Sequence, residues 1–131
     1  MDERHAANSG WWRARLRSFG YAFRGLAICF RTQTNARIHA LATVLAVTLG
    51  FALKLAAWEW CMVVLSIALV WAAECFNTAL EDWVDLVSPE RRPLAGRIKD
   101  LAAGAVLAAA IGAAAVGAIV FLPKLCALAA P

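Results

Sequence analysis

The chain has 131 residues, of which 63% are hydrophobic, and a formal net charge of +4. This length suffices for one domain. The mean hydropathy of +0.66 is well above that of a soluble globular protein. The apolar residues are grouped in long blocks, so the composition excludes an ordinary soluble domain and indicates an integral membrane protein.

Residues 1–10 are polar and small, and we expect them to form a flexible tail. Over residues 11–30, apolar side chains recur every three or four positions between arginines, as an amphipathic helix requires. Its aromatic and basic residues, and its position before a membrane span, predict a helix that lies on the membrane surface. A helix packed against other protein is the alternative interpretation.

Three apolar segments follow, each long enough to cross about 30 Å of hydrocarbon. They are predicted at about residues 38–57, 58–80 and 101–122. Almost nothing joins the first two, which predicts a tight helical hairpin near residues 54–60. Residues 11–131 are therefore expected to form a single membrane domain.

Arginine and lysine are distributed unequally around these segments. Eleven lie before the first segment or between the second and third, whereas Lys54 and Lys124 lie on the opposite side. The positive-inside rule then places the N-terminus and the loop over residues 81–99 in the cytoplasm. The basic N-terminal residues are interpreted as contacts to anionic membrane lipids. No nucleic-acid-binding motif accompanies them, so no nucleic-acid partner is expected.

The third segment carries small residues about four positions apart. They are Gly104, Ala108 and Gly112, followed by Ala113 and Gly117. Small residues at this spacing allow helix backbones to approach closely. An alanine-rich composition without a functional meaning is the alternative interpretation. Because three spans alone offer little core, we expect close packing against other copies of the chain.

The second segment is uncharged over residues 61–73 and then becomes polar on one face. Its polar side chains are Glu74, Asn77, Glu81 and Asp85. At 100° per residue they share an arc of about 80°. Ionisable groups at membrane depth are costly and therefore indicate a functional site. Polar contacts between helices are the alternative interpretation.

This polar face opens into a charged loop, which contains Glu90, Arg91, Arg92, Arg97, Lys99 and Asp100. Carboxylates attract Mg²⁺, which usually takes one or two of them together with phosphate oxygens. Cationic side chains neutralise phosphate, and a carboxylate can accept a proton. These groups suit phosphoryl transfer from a nucleotide to a lipid hydroxyl. No Walker A motif or kinase glycine-rich loop occurs, and a small proton- or ion-coupled carrier fits the same residues.

Residues 74–85, ECFNTALEDWVD, resemble the signature E-x-hydrophobic-N-[ST]-A-hydrophobic-E-x-x-V-D of the prokaryotic diacylglycerol kinase/undecaprenol kinase family. Phe76, where an aliphatic residue is usual, is a mild departure. Four further blocks are similar to the family: GYAFRG at 20–25, NARIH at 35–39, LAGRIKD at 94–100 and FLPK at 121–124. The resemblance extends from Ser18 to Lys124.

The resemblance implies an all-α membrane protein with a surface helix and three transmembrane helices, assembled as a homotrimer in the bacterial inner membrane. It would phosphorylate a membrane lipid alcohol, undecaprenol or diacylglycerol, with ATP as co-substrate and Mg²⁺ as cofactor. Glu74 would accept the proton of the lipid hydroxyl, Asn77 would hydrogen-bond in the catalytic site, and Glu81 would contact both metal and nucleotide. Further nucleotide contacts would come from Tyr21, Glu90, Arg91, Arg92, Lys99 and Asp100.

Gln33 departs from the family pattern, in which a second metal-binding glutamate is common at this position. A glutamine offers one neutral carbonyl oxygen, so weaker metal binding is expected and Gln33 stays a doubtful metal or nucleotide contact. A non-catalytic scaffold of the same family is therefore a further alternative. His39 is interpreted as a hydrogen-bonding group at the interface rather than as a catalyst. The blocks at 35–39 and 93–100 look closer to the undecaprenol kinase branch, but they do not fix the acceptor lipid.

Overall fold

The computed structural model describes the backbone of residues 3–90 and 92–129, and the side chains of residues 11–13, 15–90 and 92–129. Over these residues it has four α-helices and no β-strand. The helices are α1 (Glu3–Thr32), α2 (Thr34–Ala52), α3 (Ala57–Val87) and α4 (Pro93–Ala129). The predicted all-α class is confirmed.

Three of these helices, α2, α3 and α4, are long and apolar enough to cross a membrane. The prediction of three membrane-spanning helices is therefore confirmed, but the helix bounds differ from the predicted segments. α2 ends at Ala52, five residues before the predicted end at 57, because the turn to α3 occupies residues 53–56. α3 continues seven residues past the predicted end at 80, and α4 begins eight residues before 101. Polar residues at a helix end continue the same backbone hydrogen bonds outside the hydrocarbon region, so hydropathy alone marks the span and not the helix.

Helix α1 begins at Glu3, so the backbone over residues 3–10 is helical rather than a separate loop. Residues 1 and 2 lie outside the described residues, and the division into a flexible tail and one domain over 11–131 stays a prediction. From residue 11 onward α1 exposes large apolar side chains between its arginines, among them Trp12, Leu16, Phe19 and Phe23. Such a surface suits a helix that lies in a membrane interface.

Several side-chain contacts fix the C-terminal end of α1 to the rest of the bundle. The Sγ of Cys29 lies 3.6 Å from the Oγ1 of Thr78 on α3, and both side chains are buried. The Arg37 guanidinium on α2 donates to the backbone carbonyl of Arg31 at 2.7 Å, where the last turn of α1 has unpaired carbonyl groups. These contacts hold the corner between α1 and α2 against α3.

Four residues, 53–56, join α2 to α3, which confirms the predicted hairpin. Lys54 adopts the left-handed conformation with φ of 50°, and the N–H of Leu55 donates to the carbonyl of Gly50 at 3.1 Å. This pattern ends a helix by satisfying its last carbonyl groups. The Glu59 carboxylate then accepts the N–H of Ala56 at 2.7 Å and pairs with Lys124 of α4 at 3.0 Å. The hairpin end of the bundle is thereby tied to α4.

A small apolar core lies beside this turn and consists of Leu55, Val63 and Val120, with Trp60 and Phe121 packed against it. Gly50 is buried directly under the Trp60 ring. A Cβ added at Gly50 would lie 2.7 Å from the Cη2 atom of Trp60, well inside contact distance. A side chain at position 50 would therefore separate α2 from α3 in this region.

We expect Gly50→Ala to destabilise the protein, because the indole ring must move and overpacking of this kind costs about 1 to 3 kcal/mol. The measurement is the thermal midpoint in detergent micelles. Gly25→Ala is the matched control, since no atom lies within 4 Å of a Cβ added there and alanine favours helix more than glycine does. A Gly50→Ala protein as stable as wild type would contradict the close helix approach.

Candidate active site

Glu74 lies on α3 with only 1% of its surface exposed. Its carboxyl group lies beside the backbone N–H of Ala36, in the first turn of α2. The residue that precedes this turn, Gln33, provides no side-chain cap. Because a helix N-terminus has free N–H groups and the positive end of the helix dipole, a carboxylate from another helix is well accommodated there. Glu74 on α3 thus faces the N-terminal end of α2.

His39 is the second neighbour of Glu74, one turn further along α2. Its Nε2 atom lies 3.9 Å from Oε2 of Glu74, which is too long for a direct hydrogen bond. Both atoms are buried, and neither has a hydrogen-bond partner among the described residues. Sequence reasoning did not place His39 in the site. Its spacing of three residues from Ala36, on the same face of α2, is the signal that relates it to Glu74.

Glu81 is held between two amide groups. Its Oε1 accepts from Nδ2 of Asn77 at 3.0 Å, and its Oε2 accepts from Nε2 of Gln33 at 3.1 Å. Oδ1 of Asn77 is buried and has no partner in the part of the chain that the structure describes. Three side chains singled out from sequence therefore meet where α3 passes the corner between α1 and α2. We call Gln33, Asn77 and Glu81 the amide–carboxylate cluster.

The amide–carboxylate cluster suits a magnesium ion that is shared with a nucleotide. It contributes oxygen donors, which Mg²⁺ prefers: the Glu81 carboxylate and the carbonyl oxygens of Asn77 and Gln33. Among the side chains that the structure describes, those of residues 11–13, 15–90 and 92–129, no group of three His, Cys, Asp or Glu is placed to hold a metal. Mg²⁺ is usually bound by one or two carboxylates plus phosphate oxygens. Of these oxygens, Oδ1 of Asn77 has no partner among the described residues and is available to such an ion.

A second charged cluster lies where α3 turns into α4. The Nζ of Lys99 is 2.5 Å from Oδ1 of Asp85, so Asp85 faces α4 rather than the amide–carboxylate cluster. The two residues line a cavity of about 310 Å³ together with Glu90 and Arg92, which form an exposed ion pair at 3.4 Å. Arg91 lies outside the described residues. Cations beside an open cavity suit a phosphate-bearing ligand.

Two of the predicted nucleotide contacts are not joined to either cluster. Asp100 is exposed on α4. Tyr21 is exposed on α1, with the Arg24 guanidinium 5.9 Å from its ring centre. No hydrogen bond or ion pair among the described residues links either side chain to Glu81 or Lys99. Their assignment to the nucleotide stays a prediction.

A sequence model of the family described as prokaryotic diacylglycerol kinase matches residues 20–121 of the chain. This chain belongs to the prokaryotic diacylglycerol kinase family. The matched region contains every candidate site residue named above, from Tyr21 to Asp100. The predicted resemblance is confirmed, and with it the prediction of an enzyme that is a lipid kinase.

The chain is also similar in sequence to individual proteins that are named as lipid kinases. The undecaprenol kinase of Bacillus subtilis (strain 168) is 39% identical over 110 residues, which cover 84% of this chain and 89% of the relative. The diacylglycerol kinase of Synechocystis sp. is 45% identical over 114 residues, which cover 86% of this chain and 65% of that longer relative. The diacylglycerol kinase of Escherichia coli (strain K12) is 32% identical over 96 residues, 73% of this chain and 79% of the relative.

Proposed function

We propose that this family member transfers the γ-phosphoryl group of ATP to the hydroxyl of a membrane lipid, undecaprenol or diacylglycerol. One observation carries the proposal: the buried Glu74 carboxyl group has a free oxygen and lies on the same helix face as the amide–carboxylate cluster. A proton acceptor and an oxygen-rich ion site are thereby adjacent, as phosphoryl transfer requires.

In the proposed reaction Glu74 accepts the proton of the lipid hydroxyl while the lipid oxygen forms a bond to the γ-phosphorus of ATP. The bond between that phosphorus and the β–γ bridging oxygen breaks, and ADP leaves with the electron pair. The Oε2 atom of Glu74 is buried and has no hydrogen-bond partner among the described residues, and it would accept this proton. Burial at this position excludes water, which would otherwise compete as the acceptor.

Asn77 and Gln33 hold Glu81 in place through their amide N–H groups, and with Glu81 they would hold the magnesium ion. The bound ion supplies neutralisation of phosphate charge. Lys99 and the loop residues would bind the phosphates and the rest of the nucleotide; these loop residues are Glu90, Arg91 and Arg92, with Asp100 and Tyr21 as outer contacts.

The site is proposed to face the cytoplasm from the bacterial inner membrane, because arginine and lysine are concentrated on that side of the three spans, before the first and between the second and third. A homotrimer is proposed as the assembly. Gly104 and Gly112 are exposed on α4, and a Cβ added at either would meet nothing within 4 Å. Exposed small residues on a membrane helix allow a helix of another copy to approach closely.

The function is tested with purified protein in mixed micelles that contain labelled ATP, Mg²⁺ and either undecaprenol or diacylglycerol. We expect label in at least one lipid and no transfer when Mg²⁺ is removed. Label in neither lipid would refute the kinase. Proton flux in vesicles without nucleotide would then support the ion-coupled carrier, and the absence of both activities would support a non-catalytic scaffold.

Gln33→Glu is expected to lower the Mg²⁺ concentration needed for half-maximal activity by about tenfold, which corresponds to about 1.4 kcal/mol. The new carboxylate would face Glu81 where the amide now donates to it at 3.1 Å, and two adjacent carboxylates attract a divalent cation. The measurement is a Mg²⁺ titration at saturating ATP. Gln33→Leu removes the same amide without adding charge and serves as the control. An unchanged Mg²⁺ requirement in Gln33→Glu would show that position 33 does not contact the ion.

A further inference from the structure

Four arginines of α1 lie on one side of the helix, which we call the arginine face: Arg13, Arg17, Arg24 and Arg31. Their spacing of four, seven and seven residues places them within an arc of about 40° at 100° per residue, over about 27 Å of helix length. All four side chains are exposed. α1 therefore presents a row of guanidinium groups along one side.

These guanidinium groups have no acidic partner in the part of the chain that the structure describes. No Asp or Glu occurs in the sequence between Glu3 and Glu59. None of the ion pairs between described side chains includes an arginine of this face. Arg17 donates to the backbone carbonyl of Arg13 at 3.4 Å, which leaves its charge uncompensated. A row of uncompensated cations favours a partner that carries several negative charges.

The other sides of α1 determine what the arginine face meets. Exposed apolar side chains, among them Trp12 and Phe23, are centred about 120° from it. Ala22 and Cys29 line the groove against α3, and they are centred about 150° away in the opposite direction. A helix with its apolar side in the acyl region has its flanks at the level of the lipid head groups. One flank of α1 is covered by α3, and the arginine face is the flank that is open to lipid.

We propose that the arginine face of α1 binds the phosphate groups of anionic bilayer lipids such as phosphatidylglycerol. A guanidinium group can hold a phosphate through two parallel hydrogen bonds. Arg17, Arg24 and Arg31 follow one another at about 10 Å, so each can hold a separate head group. The sequence attributed lipid contacts to the basic N-terminal residues in general. The structure assigns them to one face, and it leaves out Arg15.

Arg15 provides the matched control. It lies about 180° from the centre of the arginine face, and its guanidinium carbon lies 5.0 Å from the ring centre of Trp11. It is exposed and only two residues from Arg17, so replacing either arginine with glutamine changes the net charge by the same amount. Glutamine has nearly the helix propensity of arginine, and α1 should remain helical in both variants.

The test is native mass spectrometry of protein solubilised from vesicles that contain equal amounts of phosphatidylglycerol and phosphatidylcholine. We expect wild type to retain more phosphatidylglycerol than phosphatidylcholine. Arg17→Gln should weaken the retention of one phosphatidylglycerol by about fivefold, the contribution of one basic residue at an anionic surface. Arg17→Gln combined with Arg24→Gln should weaken two. Arg15→Gln should retain as much phosphatidylglycerol as wild type, and so should Arg17→Lys, which keeps the charge.

Equal retention of the two lipids by wild type would overturn the proposal, and so would an equal loss in Arg15→Gln and Arg17→Gln. An altered oligomeric state in Arg17→Gln with unchanged lipid retention would identify the arginine face as a contact between copies and would also overturn it. No step of the experiment uses phosphoryl transfer, so its outcome is independent of the proposed kinase activity.

Discussion

Glu74→Gln is expected to lower kcat by about 10²- to 10⁴-fold, the usual contribution of a positioned general base. Glutamine has nearly the same shape as glutamate, so the packing of α3 against the first turn of α2 is kept. It cannot take a proton from the lipid hydroxyl. The KM for ATP should stay unchanged, because Glu74 is not among the residues proposed to bind nucleotide. The measurement is the initial rate at saturating lipid and ATP, with the thermal midpoint of the same preparation.

Glu59→Gln is the matched control for this variant. Glu59 is also buried on α3, but it lies at the hairpin end, where it pairs with Lys124 at 3.0 Å. Its substitution should lower thermal stability, because a buried ion pair loses one partner, and should leave kcat unchanged below the transition. Full activity in Glu74→Gln would remove Glu74 from the chemistry, even if the lipid kinase activity itself is confirmed.

The part of the site that belongs to one helix could be predicted from sequence. Asn77 and Glu81 are four residues apart, so the helical repeat alone places them side by side, and their hydrogen bond of 3.0 Å is as expected. The same repeat places Glu74 on this helix face, and the apolar residues before it indicate that its carboxyl group is buried. The hairpin at 53–56 was predictable too, because two apolar segments without a linker must turn back within a few residues.

Contacts between helices were harder to predict, because they depend on how far each helix is rotated and shifted against the next. The close approach of Gly50 to Trp60 sets that register for α2 and α3, and it brings His39 to Glu74. Asp85 shares the helix face of Glu81 in an angular projection, but its partner is Lys99 on α4. From sequence, Gln33 was notable only because the family commonly has a glutamate at this position. The structure shows that its amide donates to Glu81.

Lys99→Met is expected to lower kcat/KM for ATP by about 10²-fold, as the loss of a single charged donor to a reacting phosphate commonly does. Without nucleotide, Lys99 pairs with Asp85, whose side chain is 67% exposed. Such a pair contributes only about 0 to 1 kcal/mol, so Lys99 can exchange Asp85 for a phosphate oxygen at little cost. For the same reason the substitution should hardly change the thermal midpoint. Steady-state kinetics with varied ATP, together with thermal unfolding, measure both effects.

Lys124→Met is the control that distinguishes phosphate binding by Lys99 from a contribution of lysine side chains to the stability of the helix bundle. Lys124 has nearly the same exposure as Lys99, 30% against 34%, and also pairs with a carboxylate of α3. Its partner Glu59 is buried, however, and it lies at the opposite end of the bundle from the Asp85–Lys99 pair. Lys124→Met should therefore reduce stability and spare the KM for ATP, the reverse of Lys99→Met. Equal effects of both substitutions on the KM for ATP would show that Lys99 acts on the fold and not on the nucleotide.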